Sequence, residues 1–351
     1  MPLLCLPRRT ALGIGFLLTA LGIGPAAAAD AVVNLYSARH YQTDEALYAD
    51  FTKQTGIRIN RIEAGDEALL ERLRSEGRNS PADVLLLVDA ARLWRAQTDG
   101  LFQPVRSAVL DARVLPHLRG KDDGRGAEWY GFSTRARIIV YHRATVTPEQ
   151  VRRYEDLAAP SLKGKVCTRS ATHPYMLSLI GALSEHLGEA RTEAWARGVV
   201  ANFARTPRGG DTDQIRAVAS GECGVALTNT YYLVRLMRSQ AKEDVEAVSR
   251  IGVVWPNQDA FGTHVNVSGG GVTRNAPNRA AAIRFLEYLT SESAQSYLAN
   301  GNNEWPVVKG TPLRNAALES LGPFKADDLP TASIGRSQVT AAKIVDRVGW
   351  R

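Results

Sequence analysis

From Val32 onward, short apolar runs alternate with amphipathic helical patterns, and after Tyr130 the alternation restarts. Val32 to Ser37 reads as a strand. A helix follows, with Thr43 placed to cap it and Gly56 to end it, and Ile57 to Ile62 is the next strand. Asp66 to Gly77 reads as a helix, and Ala82 to Val88 as a continuous apolar strand opening a helix through Trp94. In the second series Ala136 to Tyr141 and Lys165 to Thr168 are strands, and Tyr175 to His186 and Asp211 to Ser220 are helices. The apolar run Val225 to Thr228 follows. Such βαβ succession predicts a mostly parallel sheet with helices on both faces, and it restricts the chain to the α/β class.

A third region begins near Gln258. Its strand, Thr263 to Thr273, contains Gly269-Gly270-Gly271, and helices are expected over Pro277 to Thr290 and Glu292 to Ala299. No Gly-Lys-Ser/Thr follows the glycines and no GxGxxG opens a helix there, so they predict close backbone approach or a crossover, not a phosphate cradle. The tail from Leu313 to Val348 reads as two or three helices around Asp327, Asp328 and Pro330. At 351 residues the chain favours two domains over one. Two doubly wound lobes bind ligands outside the carboxyl ends of their strands, so a hinge and a ligand cleft between the lobes are expected.

Residues 1–29 read as an export signal. Arg8-Arg9 supply the charged start, Ala11 to Leu21 the apolar stretch, and Ala27-Ala28-Ala29 a small-residue cleavage site before Asp30. Arg8-Arg9-Thr10-Ala11-Leu12 also resembles a twin-arginine signal, which leaves two export routes open. The apolar stretch is too short for an ordinary membrane span, and no stable membrane insertion is expected. The formal net charge of +7 would fall by the two removed arginines, a modest excess. Arg72, Arg74 and Arg78 are interleaved with Glu71 and Glu76, the pattern of a solvated helix face, so no nucleic-acid partner is expected. Cleavage also removes Cys5, leaving Cys167 and Cys223 in a compartment that permits disulfides. A bridge between them is expected, worth about 4 kcal/mol in the chain-entropy description. Cys167 lies eight residues before Tyr175 and Cys223 eight before Tyr231, so the bridge would staple the strands that deliver those tyrosines.

Tyr231 and Tyr232 stand where the Val225 to Thr228 strand turns into a helix. Tyr175 follows Pro174 just after a strand-to-helix connection, and His40-Tyr41 follows the first strand. All are positions at the carboxyl ends of strands. A phenol with an ordinary pKa near 10 becomes a ligand only for an ion that strips its proton, which points to a hard trivalent cation. Helix N-termini favour phenolate over phenol. Three phenolates would neutralise Fe(III), Tyr41 would add a fourth, and neutral His40 a ligand without charge. Water or carbonate could complete the shell. Arg95 or Arg39 could neutralise an accompanying anion, although each also suits an ordinary ion pair. Packing competes with ligation: adjacent helical residues point about 100° apart, so Tyr231 could pack while Tyr232 lies on the surface. Tyr36, Tyr48, Tyr141, Tyr154, Tyr288 and Tyr297 are expected to pack with a polar handle.

The run Leu35-Tyr36-Ser37-Ala38-Arg39-His40-Tyr41, the segment Ser80-Pro81-Ala82-Asp83-Val84, Lys163-Gly164-Lys165 ahead of Tyr175, and Asn229-Thr230-Tyr231-Tyr232 carry a resemblance spanning nearly the whole mature chain. In order and approximate spacing these segments resemble the periplasmic ferric-ion-binding proteins, the solute-binding components of ABC iron importers with the type II periplasmic-binding-protein fold. The resemblance implies a monomer that carries Fe3+ to an inner-membrane ABC permease. Tyr175, Tyr231 and Tyr232 match the family's three-tyrosine core, and His40 and Tyr41 match the His-Tyr pair of its tyrosine-rich subgroup. Members differ in using the histidine arm, so ligation by His40 stays open. Another branch uses a glutamate where this chain has Asp89, a shorter carboxylate, which is therefore left out of the metal's ligands. The expected division is 1–29 signal, 30–135 lobe one continued by about 259–310, 136–258 lobe two, and 311–351 C-terminal helices packing on the lobes.

Two other readings compete. The same fold could hold an organic cation such as a polyamine or thiamine, or an oxyanion, recruiting Trp94, Trp129 and Asp89. A secreted hydrolase would need a nucleophile elbow or an H-E-x-x-H motif, and neither is present. Ser178, His173 and Asp211 are the nearest approach to a triad, and no enzyme activity is expected.

Overall fold

The computed structural model describes residues 1–2, 31–39 and 44–351. The expected export signal, the Thr43 cap and the His40-Tyr41 arm lie outside the described residues. Among those described, no helix is long and apolar enough to cross a membrane.

Among the described residues, nine strands form one continuous sheet: β1 (Val32–Ser37), β2 (Arg58–Glu63), β3 (Val84–Leu87), β4 (Tyr130–His142), β5 (Val166–Cys167), β6 (Val225–Asn229), β7 (Ile251–Val254), β8 (Val265–Val272) and β9 (Trp305–Pro306). Their order is β2-β1-β3-β8-β4-β6-β5, with β7 and β9 also pairing with β4. The parallel pairs are β1 with β2, β1 with β3 and β5 with β6. Every pairing made by β4 or β8 is antiparallel, so the expectation of a mostly parallel sheet is corrected to a mixed one. The physical reason is the crossover between lobes. β4 runs out of the first lobe into the second and β8 brings the chain back, so each enters the sheet against the direction of its neighbours. β4 changes partners midway, pairing with β8 up to Ala136 and with β6 from Arg137.

The triple glycine serves this crossover. β8 is sandwiched between β3 and β4, and a Cβ on Gly269, Gly270 or Gly271 would collide with the carbonyl oxygen of Tyr130, Leu85 or Glu128. In the first lobe the strands alternate with period two. Val33, Leu35, Val84 and Leu86 pack with Phe51 and Phe285 on one face, and Tyr36, Leu85 and Leu87 with Leu69, Leu70 and Leu93 on the other. The second lobe repeats the plan, with Ile139, Val225 and Leu227 on one face and Ile138, Val140 and Ala226 on the other. Helices therefore cover both faces of each lobe. Residue Gly56 ends helix Asp44–Thr55 at φ 71°, a left-handed conformation that glycine adopts without steric cost.

Three helices form the tail: Ala316–Glu319, Thr331–Arg336 and Gln338–Val348. Helix Thr331–Arg336 is wedged between helix Ala90–Thr98 of the first lobe and helix Pro174–Leu187 of the second. Its Gly335 lies so close to Trp94 that a side chain there would enter the indole. Cys167 and Cys223 form the expected disulfide, with Cα atoms 5.9 Å apart, joining β5 to the turn before β6.

Candidate metal centre

The tyrosines are brought together by two helix starts. Helix Thr230–Met237 springs directly from β6, and the junction is fixed by the fully buried Asp211, whose carboxylate accepts from Asn229 N at 2.7 Å. The same carboxylate pairs with Arg137 and, at 3.2 Å, with Arg169. Thr230 Oγ1 accepts from Ala136 N at 3.3 Å, which ties the helix to β4 where that strand changes partners. Tyr231 and Tyr232 occupy the first turn with ring centroids 4.2 Å apart. Tyr231 is 1% exposed and Tyr232 half-buried.

Tyr175 occupies the first turn of helix Pro174–Leu187. His173 caps that helix, its Nδ1 accepting from Tyr175 N at 3.2 Å. Burial, then the nearby Arg169 and Arg137 charges, push the His173 pKa down to about 3, so the ring is neutral and keeps its acceptor. Tyr231 Oη donates to Tyr175 Oη at 3.1 Å. The two phenols thus face one another from helices of the same lobe. Both helix N-termini supply partial positive charge to them.

Three arginines surround the phenols. The Arg169 guanidinium lies 5.2 Å and that of Arg135 5.5 Å from the Tyr175 ring centroid, while Arg235 lies 5.6 Å from that of Tyr232. Burial pushes the Tyr175 pKa up to about 12, and the Arg135 charge opposes that rise. Without a bound cation the phenol is protonated at neutral pH. Sequence reasoning missed these arginines, yet signals for two of them exist. Arg235 stands one helical turn after Tyr231 and Tyr232, and Arg135, with Arg137, interrupts the otherwise uncharged run from Tyr130 to Tyr141.

The remaining candidates have other partners. Arg39 is buried in ion pairs with Asp44 at 3.0 Å and Glu304 at 3.3 Å, and Arg95 makes a surface pair with Asp99. Each takes the ordinary role. Asp89 is fully buried, caps helix Ala90–Thr98 and accepts from Ser178 and Asn266. Ser178 therefore points at Asp89, His173 at a backbone amide, and Asp211 at two arginines, so these three make no triad. Trp129 is buried and donates to Gln97 at 3.0 Å, and Trp94 packs on Gly335. Neither offers a stacking platform for an organic cation. His40 and Tyr41 lie outside the described residues. Among those described, no group of three His, Cys, Asp or Glu residues could hold a metal.

Comparison with known proteins places this geometry in context. The model of the bacterial extracellular solute-binding protein family matches residues 46–327. Iron uptake protein A1 of Synechocystis sp. is 50% identical over 91% of this chain and 87% of its own length. A Trichodesmium protein solved in complex with iron and citrate ligands is 49% identical, superposes with a TM-score of 0.85, and matches 91% of this chain and all of its own. A ferric binding protein from Campylobacter jejuni is 39% identical with the same TM-score, again over 91% of this chain and all of its own.

Proposed function

This chain belongs to the bacterial extracellular solute-binding protein family, and from that premise we propose that it captures ferric iron in the periplasm with tyrosinate ligands and delivers it to an inner-membrane ABC importer. The observation that carries the reading is the 3.1 Å contact between Tyr231 Oη and Tyr175 Oη, with the Tyr232 ring tilted against that of Tyr231. Phenol oxygens this close can share one small cation. A trivalent ion repays the loss of their protons, whereas a weakly polarising ion leaves them protonated.

Tyr175, Tyr231 and Tyr232 contribute three negative charges from the second lobe. Tyr41, with His40 beside it, closes from the first lobe, and water or carbonate completes the shell. Arg135, Arg169 and Arg235 offset the negative charge of the phenolates. The lobes are divided at 30–135 continued by about 259–310 and at 136–258, with residues 311–351 packing across them. The chain acts as an exported monomer after loss of residues 1–29. The relatives are iron transport and iron-binding proteins, not enzymes, and transport is the role this chain shares with them.

The test is direct. Mature protein mixed with ferric citrate and then desalted is expected to retain one ferric ion per chain by elemental analysis. Protein that emerges without iron contradicts the proposal.

A further inference from the structure

Asp89 joins three elements through its carboxylate. Its Oδ1 accepts from Ala91 N at 2.8 Å, capping helix Ala90–Thr98 of the first lobe. Its Oδ2 accepts from Ser178 Oγ at 2.8 Å, one turn into helix Pro174–Leu187 of the second lobe, and from Asn266 Nδ2 at 2.7 Å on the crossover strand β8. Asp89 and Ser178 are wholly buried and Asn266 nearly so.

The polarity of this junction is fixed on every side. Asn266 Oδ1 accepts from Ala90 N at 2.9 Å and Val267 N at 2.8 Å, so its amide nitrogen must face Asp89 as a donor. Three donors then converge on one side chain, and only a carboxylate accepts from all of them. With both oxygens so engaged, Asp89 has a role other than ligation. Ser178 stands three residues after Tyr175 on the same helix, and residues at that spacing share a face. Arg135 braces the same joint. It donates to Val88 O and, at 3.1 Å, to Ser268 Oγ, with its guanidinium against Tyr175.

We propose that Asp89 is a positioning residue, an interlobe pin that sets where the Tyr175 helix stands against the first lobe and thereby how long captured iron is held. The iron readouts rest on the ferric reading above. The pin itself is read without iron. Ser178→Ala removes one donor from the carboxylate, and Ser178→Thr restores a hydroxyl at the same place. Ferric ion transfer from loaded protein to excess chelator is expected to be about tenfold faster in Ser178→Ala, the scale of one hydrogen bond to a charged group. It should return toward the wild-type rate in Ser178→Thr, and a wild-type rate in Ser178→Ala overturns the proposal. In iron-free protein, small-angle scattering should give a larger radius of gyration for Ser178→Ala than for wild type, and equal radii overturn the pin even where no iron is bound. Asp89→Asn, which presents an amide to donors that need an acceptor, should move both readouts in the same direction. If Ser178→Ala fails to fold, Asp89→Asn decides the matter by the same two measurements.

Discussion

Tyr231 donates a hydrogen bond to Tyr175 from a helix that begins 56 residues further along the chain, and the bond joins two phenols each seated in the first turn of its helix. Two side chains that could each have packed alone instead present their oxygens to one point. The disulfide reinforces the arrangement from below, since β5 and β6 lie side by side beneath these helix starts.

Proton release follows from the raised pKa of the iron-free phenol. Tyrosine has an ordinary pKa near 10, and burial raises that of Tyr175 further. Every tyrosine that binds iron at neutral pH must therefore lose a proton on binding. Iron affinity should fall as the pH drops from 8 to 6, with the logarithm of the affinity changing by at least three per pH unit once the chelator's own titration is subtracted. Isothermal titration in buffers of different ionisation enthalpy counts the protons directly, and a pH-independent affinity would rule out phenolate ligation.

The His40-Tyr41 arm is tested by substitution. Tyr41→Phe should weaken ferric binding by about tenfold or more without abolishing it, because the three tyrosines of the second lobe remain. Competition against citrate measures the change. An unaltered affinity removes Tyr41 from the ligand set.

The disulfide has a thermodynamic signature. Denatured mature protein should show no thiol reactive toward Ellman's reagent, and two thiols after reduction. Cys167→Ser/Cys223→Ser should lower the unfolding free energy by about 4 kcal/mol on the chain-entropy estimate. Denaturant melts at fixed pH measure that difference.

Acid should loosen the crossover between lobes. His264 is 3% exposed, neither ring nitrogen has a hydrogen-bond partner among the described residues, and burial together with Arg137, Arg135 and His186 pushes its pKa down to about 3. The unfolded chain binds the proton near pH 6.5, so the stability contributed by neutral His264 is present above that pH and is lost as pH falls toward 3. By linkage the loss is about 2 kcal/mol at pH 5. Replacing His264→Gln should flatten this part of the stability profile, measured by denaturant melts between pH 7 and 5.

Much of this design was legible in residue order, and what escaped did so for identifiable reasons. The Tyr231-Tyr232 pair, Pro174 ahead of Tyr175 and the two cysteines are local signals tied to strand ends, and the structure brings Tyr231 to Tyr175 and joins the cysteines. The antiparallel entry of β4 and β8 is not local: a fully buried strand reads as a plain apolar run whichever way it enters the sheet. Helix Lys242–Arg250 also escaped, since only Asp244 in it is buried and its short, charge-rich run carries just Val245, Ala247 and Val248 as apolar side chains. The bonding role of Asp89 was not legible, because its partners, Ser178 and Asn266, come from remote parts of the chain.

The central claim is that the phenolates of Tyr231 and Tyr232 bind the iron. The measurement that tests it most directly is the visible spectrum of protein titrated with ferric citrate, wild type against Tyr231→Phe/Tyr232→Phe. The wild type should develop a tyrosinate-to-iron charge-transfer band that saturates at one equivalent, and the double variant should fold normally and stay colourless. A colourless wild type, or a double variant with the band at full strength, would contradict the account.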